Sequence, residues 1–294
     1  MQWISTWLNR EGITTAHDAW MEMDPSFYNA YNELAEDEKL TIRYRGSWYL
    51  DEASDYLGEI DYAIGLSEKF THPHFQVHSF KFMADGAGET ALLLERNPEG
   101  IKVWEDDALV EAMTAVDKAE YQIHVHTIGD GAVKYTIEAL EKTQDATGER
   151  DSKHSIVHVE SARPEDIIKA GELGLYAHMT PRLISRDSSF KSLFDADVKV
   201  TIGSDWTTSQ FDVLTDIYRG MKTNVNLEEM IKAATINGAS ANFLEDEIGS
   251  LEIGKKADII VLSQNLFEIQ PNEIPNVDIL MTFFEGDLVY EMKP

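Results

Sequence analysis

Seven apolar stretches, each followed by a helical or looped segment before the next, set the strongest limit on how this chain folds. They start at Ile13, Leu40, Val77, Tyr121, Ser155, Leu175 and Val198. The best-formed unit is Tyr121–Val133, YQIHVHTIGDGAV. Tyr121–His126 alternates as a strand does, Gly129 breaks the strand, and Val133–Lys142 carries Val133, Ile137 and Leu140 at helical spacing. Repetition of this unit predicts an α/β fold, a TIM-like (β/α) barrel with seven of its eight strands.

The segments between the strands fit that plan. Helices are expected at Gln2–Asn9, with Trp3, Ile4, Trp7 and Leu8 on one side and Gly12 as the stop, and at Phe27–Glu36, Asp106–Lys118 and Pro164–Leu173. A short helix near Asp187–Asp195 precedes the last of the seven strands, and Met230–Leu244 reads as a helical pair. Ile248–Leu262 is then a turn and strand, and Ile279–Met292 a hairpin turning at Gly286–Asp287. No helix separates these final strands. A barrel over residues 1–245 and a small β layer over 246–294 are therefore expected.

Loops at the carboxyl ends of barrel strands carry the chemistry in such folds. His126 and Asp130 fall at that end of the best-formed unit. Taken alone, His124 and His126 read as barrel-interior or surface residues sooner than as metal ligands. Two further strands change the reading, because Ser155–His158 ends in a histidine and Val198–Asp205 in a carboxylate. His, His and Asp at three strand ends supply the three protein ligands of a catalytic zinc, with the fourth position left to water.

Composition narrows the partners. The chain has 294 residues and no cysteine, so a metal would be held by His, carboxylate or a modified Lys. Its 53 acidic against 25 basic residues give a net charge of -28, which repels phosphate backbones and anionic lipid, so neither nucleic acid nor membrane is an expected partner. No run approaches the ~20 apolar residues of a membrane span. MQWISTWLNREG at the amino terminus lacks the basic and apolar regions of a signal peptide, so a cytoplasmic location is expected.

Six motifs occur in one order along the chain: Phe80-Lys81-Phe-Met-Ala-Asp85-Gly86, His126-Thr-Ile-Gly129-Asp130, Ile156-Val-His158, Gly203-Ser-Asp205, Ala234-Thr-Ile-Asn237 and Gly249-Ser-Leu-Glu-Ile-Gly254-Lys-Lys-Ala257-Asp258. With these the chain resembles the YtcJ-like branch of the amidohydrolase superfamily. The resemblance implies a metal-dependent hydrolase barrel with a small β-sandwich built from both chain ends. It also implies roles for Lys81, carboxylated in many relatives, and for His126, His158 and Asp205 as metal ligands. The His-x-His pair of the family's first barrel strand has no counterpart here, since Ile-Gly-Asp after His124-Val125-His126 belongs to the fifth-strand motif. The chain thus reads as starting at the family's second strand. Val157, Gly131 and Thr180 stand where relatives carry Glu, a basic residue and Gln, which sets the substrate contacts apart.

The resulting expectation is hydrolysis of an amide-like C–N bond in a small molecule by metal-activated water. Asp205 acts as metal ligand and as the base that moves a proton to the leaving nitrogen. Asp85 and His178 are expected to contact substrate, His17 and His78 to be structural or pocket-lining, Asp130 to cap its helix and Asp258 to stabilise the tail turn. The cofactor is a divalent metal, zinc by ligand type, held weakly or singly without the His-x-His strand. Two alternatives stand beside this reading: an inactive part of such an enzyme, and a phosphoester hydrolase on the same barrel. Open edges at the first and last strands call for cover, with self-association into a homo-oligomer favoured over cover by the Trp3 and Trp7 helix.

Overall fold

The computed structural model describes residues 2–70, 72–184 and 188–293. Its seven parallel strands are β1 (Thr15–Met21), β2 (Arg43–Tyr49), β3 (Phe75–Met83), β4 (Gln122–Thr127), β5 (Ser155–His158), β6 (Tyr176–Met179) and β7 (Lys199–Ile202). They lie side by side in sequence order, curled into a half-barrel. Helices α1 (Gln2–Arg10), α2 (Pro25–Glu36), α3 (Tyr56–Ser67), α4 (Asp106–Lys118), α5 (Asp130–Thr147), α6 (Pro164–Glu172) and α7 (Phe190–Asp195) alternate with the strands. Asp187, the expected start of the seventh helix, lies outside the described residues.

Alternation along each strand divides two environments. Ile123 and Val125 point toward the helices and are buried with Leu109, Met113, Val133 and Ile137, and this outer layer is the apolar core. Gln122, His124 and His126, on the opposite face of the same strand, are also buried. The interior of the sheet is therefore polar where many barrels pack branched aliphatics.

One boundary and one helix differ from expectation for local reasons. β1 starts at Thr15 because Gly12 (φ 73) and Ile13 finish α1: Gly12 N–H donates to Asn9 O and Ile13 N–H to Leu8 O, the paired bonds of a glycine-terminated helix. α8 (Val213–Met221) had not been anticipated, although its cap is written in the sequence, with Asp212 accepting from Thr215 N–H.

α9 (Leu227–Ala234) and α10 (Ile236–Ala241) follow β7. Asn237 Nδ2 donates to Val200 O at 2.8 Å, giving the outer edge of β7 a side-chain partner in place of a strand. On α1, Trp7 packs edge-on against Trp206 and Phe211, beyond the end of β7. The β7 end of the half-barrel thus has local side-chain cover.

The second sheet is antiparallel in the order β10 (Asp287–Glu291), β9 (Ile279–Phe284), β8 (Ile259–Leu262). Its hairpin turns at Glu285 and Gly286 (φ 51 and 96), one residue earlier than expected. Asp258 does more than stabilise the tail turn. It accepts from Glu285 N–H and pairs with Arg43 of β2, joining the small sheet to the barrel floor.

Candidate active site

Four of the expected site residues gather at the carboxyl ends of the strands. Lys81 of β3 is level with His124 of β4, and Thr127 is level with His158 of β5. This brings the His126 and His158 rings edge-to-face at 4.7 Å between centroids. Asp205 follows β7 on an exposed turn, with its charge acting on both Lys81 and His126. His158 (φ 75) and Asp205 (φ 51) both occupy the left-handed region, which non-glycine residues seldom adopt. Such strain at two strand ends, each bearing a candidate ligand, marks a place where side-chain direction outweighs backbone comfort.

Burial sets the charge states. It pushes His126 down to about 3, aided by the neighbouring His158 and Lys81, and His158 to about 4, aided by Lys81. Both imidazoles are neutral at pH 7, the form that ligates a metal. Lys81 is also buried and lowered to about 8, with Asp205 opposing the shift. No hydrogen bond or ion pair engages its amine among the described residues.

These donors suit a divalent ion by chemistry, and His126 Nε2 is buried without a hydrogen-bond partner. They are also few. Among the described residues no group of three or more His, Asp or Glu side chains is arranged to hold a metal. The set offers two adjacent imidazoles with the charge of Asp205 acting on one of them, while zinc usually takes four donors.

Asp85, expected to contact substrate, is engaged by the backbone. Its oxygens accept from Ile128 N–H at 2.9 Å, Gly129 N–H at 2.8 Å and Leu92 N–H at 3.0 Å, so backbone amides occupy it. It anchors the turn that carries His126 into α5, and Oδ1 lies 3.7 Å from His126 Nε2. Asp130 is not the cap of α5, whose N-cap is Gly129, and it accepts instead from Leu94 N–H.

His178 sits one level below the site, bonded through Nδ1 to Thr201 Oγ1 and stacked on His124 at 4.8 Å. His17 stacks on His124 at 5.1 Å and meets His78 at 5.4 Å. This histidine layer was not foreseen as a unit. The signal available was the two-residue period that puts His124 on the same face as His126.

Six imidazoles share low pKa values through burial: His17 and His158 at about 4, His126 and His178 at about 3, and His78 and His124 well below the usual 6.5. The native state therefore binds fewer protons than the unfolded chain below pH 6.5. Stability is whole above pH 6.5 and falls as pH drops toward 4, by on the order of 2–3 kcal/mol for a ring such as His17 or His158 held at about 4. Asp85 and Asp216, raised by burial to about 6 and 7, act in the opposite sense but are outnumbered. Urea melts at pH 7 and pH 4.5 should show a large drop at the lower pH, and equal midpoints would contradict the neutral layer.

A family model described as the amidohydrolase family matches residues 1–290. Among curated proteins, Protein LONG AFTER FAR-RED 3 of Arabidopsis thaliana is 25% identical over 66% of this chain and 38% of its own length. The putative amidohydrolase YtcJ of Bacillus subtilis (strain 168) is 25% identical over 76% of this chain and 49% of its own. The solved structure of the atrazine chlorohydrolase TrzN from Arthrobacter aurescens TC1, complexed with zinc, superposes with a TM-score of 0.71 at 14% identity, covering 99% of this chain and 72% of that one. The chain spans half or less of the curated relatives' length. Among the described residues no helix is long and apolar enough to cross a membrane.

Proposed function

The chain belongs to the amidohydrolase family, and on that premise we propose that it carries the larger part of a metal-dependent hydrolase site acting on C–N bonds of small amide-like molecules. The observation that carries this reading is the pair of neutral, edge-to-face imidazoles, His126 and His158, gathered beside Lys81 and Asp205. His126 and His158 would hold a divalent ion, zinc by their nitrogen donors and by the zinc in the related TrzN structure. Bound there, such an ion supplies Lewis acidity toward a carbonyl and toward water.

The chain's own groups supply the rest. Asp205 is exposed and carries charge toward the site, so it takes a proton from the attacking water and returns it to the leaving nitrogen. Lys81, near 8, holds a neutral fraction at pH 7–8. Its amine nitrogen adds to the carbon of CO2 and loses a proton, leaving a carbamate with an anionic oxygen for the metal. His178 forms the floor beneath a substrate, and Asp85 acts through the turn it anchors. A small neutral or cationic substrate suits a chain of net charge -28. A homo-oligomer joined through the edge of β1 remains part of the proposal, and the location is taken to be the cytoplasm.

The incomplete ligand set favours one second reading, in which this chain binds metal but does not turn over unaided. A panel of N-formyl and N-acyl amines, with bis(p-nitrophenyl) phosphate as the phosphoester arm, tests both. The zinc-loaded chain should release amine, and Asp205→Asn should lower the rate about a hundredfold. Turnover of the phosphoester alone would overturn the C–N assignment, and no turnover with zinc bound would establish the second reading.

A further inference from the structure

The amino-terminal end of the half-barrel, opposite the candidate active site, holds a cavity of about 330 Å³. Such a volume is in the range of small-molecule sites. Arg45 of β2 lines it, together with Gln76, His78, Asn242, Phe243 and Glu247.

Arg45 is 3% exposed, and among the described residues no carboxylate lies within ion-pair distance of it. Its Nη1 donates to Tyr44 O and Pro73 O, each at 3.1 Å, which fixes the plane of the guanidinium. Nε and Nη2, the edge that matches a carboxylate with two parallel N–H groups, meet no protein acceptor among the described residues. A buried charge is costly unless paired, and the one carboxylate whose charge acts on Arg45, Glu247, is half exposed and shared with Lys256, so it offsets the guanidinium only in part. Arg43, two residues earlier on the same strand face, shows the ordinary case, with Asp258 and Glu285 both bound to it. His78 adds two buried ring nitrogens without partners among the described residues, and Gln76 lines the cavity beside it.

We propose that this cavity is a binding site for a small organic monocarboxylate, seated on the Nε–Nη2 edge of Arg45 with its apolar part against Phe243. The ring of Phe243 stands edge-on to His78 at 5.6 Å and offers the apolar wall. Glu247 and Glu120 also line the cavity, and their charge selects a monoanion over a phosphate dianion. The site is independent of the chemistry at the other end of the strands.

Sodium benzoate titrated into the full chain by calorimetry tests this, with inorganic phosphate as the second arm. Benzoate should bind saturably with one site per chain and more tightly than phosphate. Arg45→Met and Arg45→Lys should each weaken it by roughly tenfold or more, because Lys keeps the charge but loses the fork. Glu247→Gln should tighten it about twofold by removing a competing charge, and Gln76→Leu should weaken it, so the idea stands or falls even if the Arg45 variants do not fold. Absence of saturable benzoate binding overturns the proposal, as does phosphate binding more tightly than benzoate. Unchanged affinity in the Arg45 variants, or in both Glu247→Gln and Gln76→Leu, does the same.

Discussion

Gly129→Ala is expected to lower the unfolding free energy by about 4 kcal/mol or more, or to prevent folding. A Cβ at this position would lie 1.9 Å from Leu92 O and 2.4 Å from Leu92 C, both backbone atoms. Side-chain overpacking alone costs about 1–3 kcal/mol, and here no rotamer can relieve it. Moving Leu92 away breaks its N–H bond to Asp85, and moving Gly129 breaks another at 2.8 Å. Each buried group left unpaired adds about 1–3 kcal/mol. The effect reaches function because the same turn fixes His126, the last residue but one of β4. Urea denaturation of the two proteins at pH 7 measures it. A variant within about 1 kcal/mol of the parent would mean that the Leu92 and Gly129 segments are not in the close contact described.

Arg43→Met should cost about 3–5 kcal/mol and loosen the small sheet from the barrel. The guanidinium is almost wholly buried between Asp258 and Glu285, with Nη2 at 2.6 Å from Glu285, and lies over the Phe284 ring at 4.6 Å. Methionine preserves much of the packing volume, so most of the loss comes from the carboxylate of Asp258, 8% exposed, left without its cation. A second substitution, Asp258→Asn, should restore part of the stability, because the uncompensated charge leaves with it. Acid sensitivity supplies an independent readout. Partial burial pushes the Glu285 carboxyl up, but the Lys256 hydrogen bond and the Arg43 charge outweigh it and hold the group at about 2. A carboxyl lowered in the folded state stabilises above its ordinary 4.5 and loses that contribution as pH falls toward 2. Arg43→Met should flatten this part of the pH profile. No loss of stability, or no recovery in the double variant, would remove the buried ion pair as the joint between the two sheets.

The strands were legible because one face of each meets the helices, and the alternation that burial imposes is written in segments such as Gln122–Thr127. Boundaries were less so. Ile13 looks like a strand residue, yet the Gly12 termination of α1 takes its N–H for Leu8 O. The candidate residues Lys81, His126, His158 and Asp205 were named from short motifs and a family resemblance, and their placement near strand ends follows once the strands are found. Asp130 was misread as a cap, and the backbone bonds of Asp85 went unseen, for a common reason: Leu94 and Leu92, which donate to them, lie in a looped stretch whose path no periodicity announces. The histidine layer and the unpaired edge of Arg45 depend on several strands curling toward one another, and a single strand carries no record of that.

Zinc titration of the metal-free chain, by competition with a chromogenic chelator, bears most directly on the site described here. The parent should take up a single zinc per chain with modest affinity, since two imidazoles and one carboxylate fall short of a full shell. His126→Ala combined with His158→Ala should abolish that uptake while the fold, followed by circular dichroism, persists. Lys81→Met should weaken it only when bicarbonate is present to form the carbamate. Uptake that is equal in the parent and in the double variant would contradict the assignment of this rim as the metal site, and so would two tightly held zinc ions in the parent.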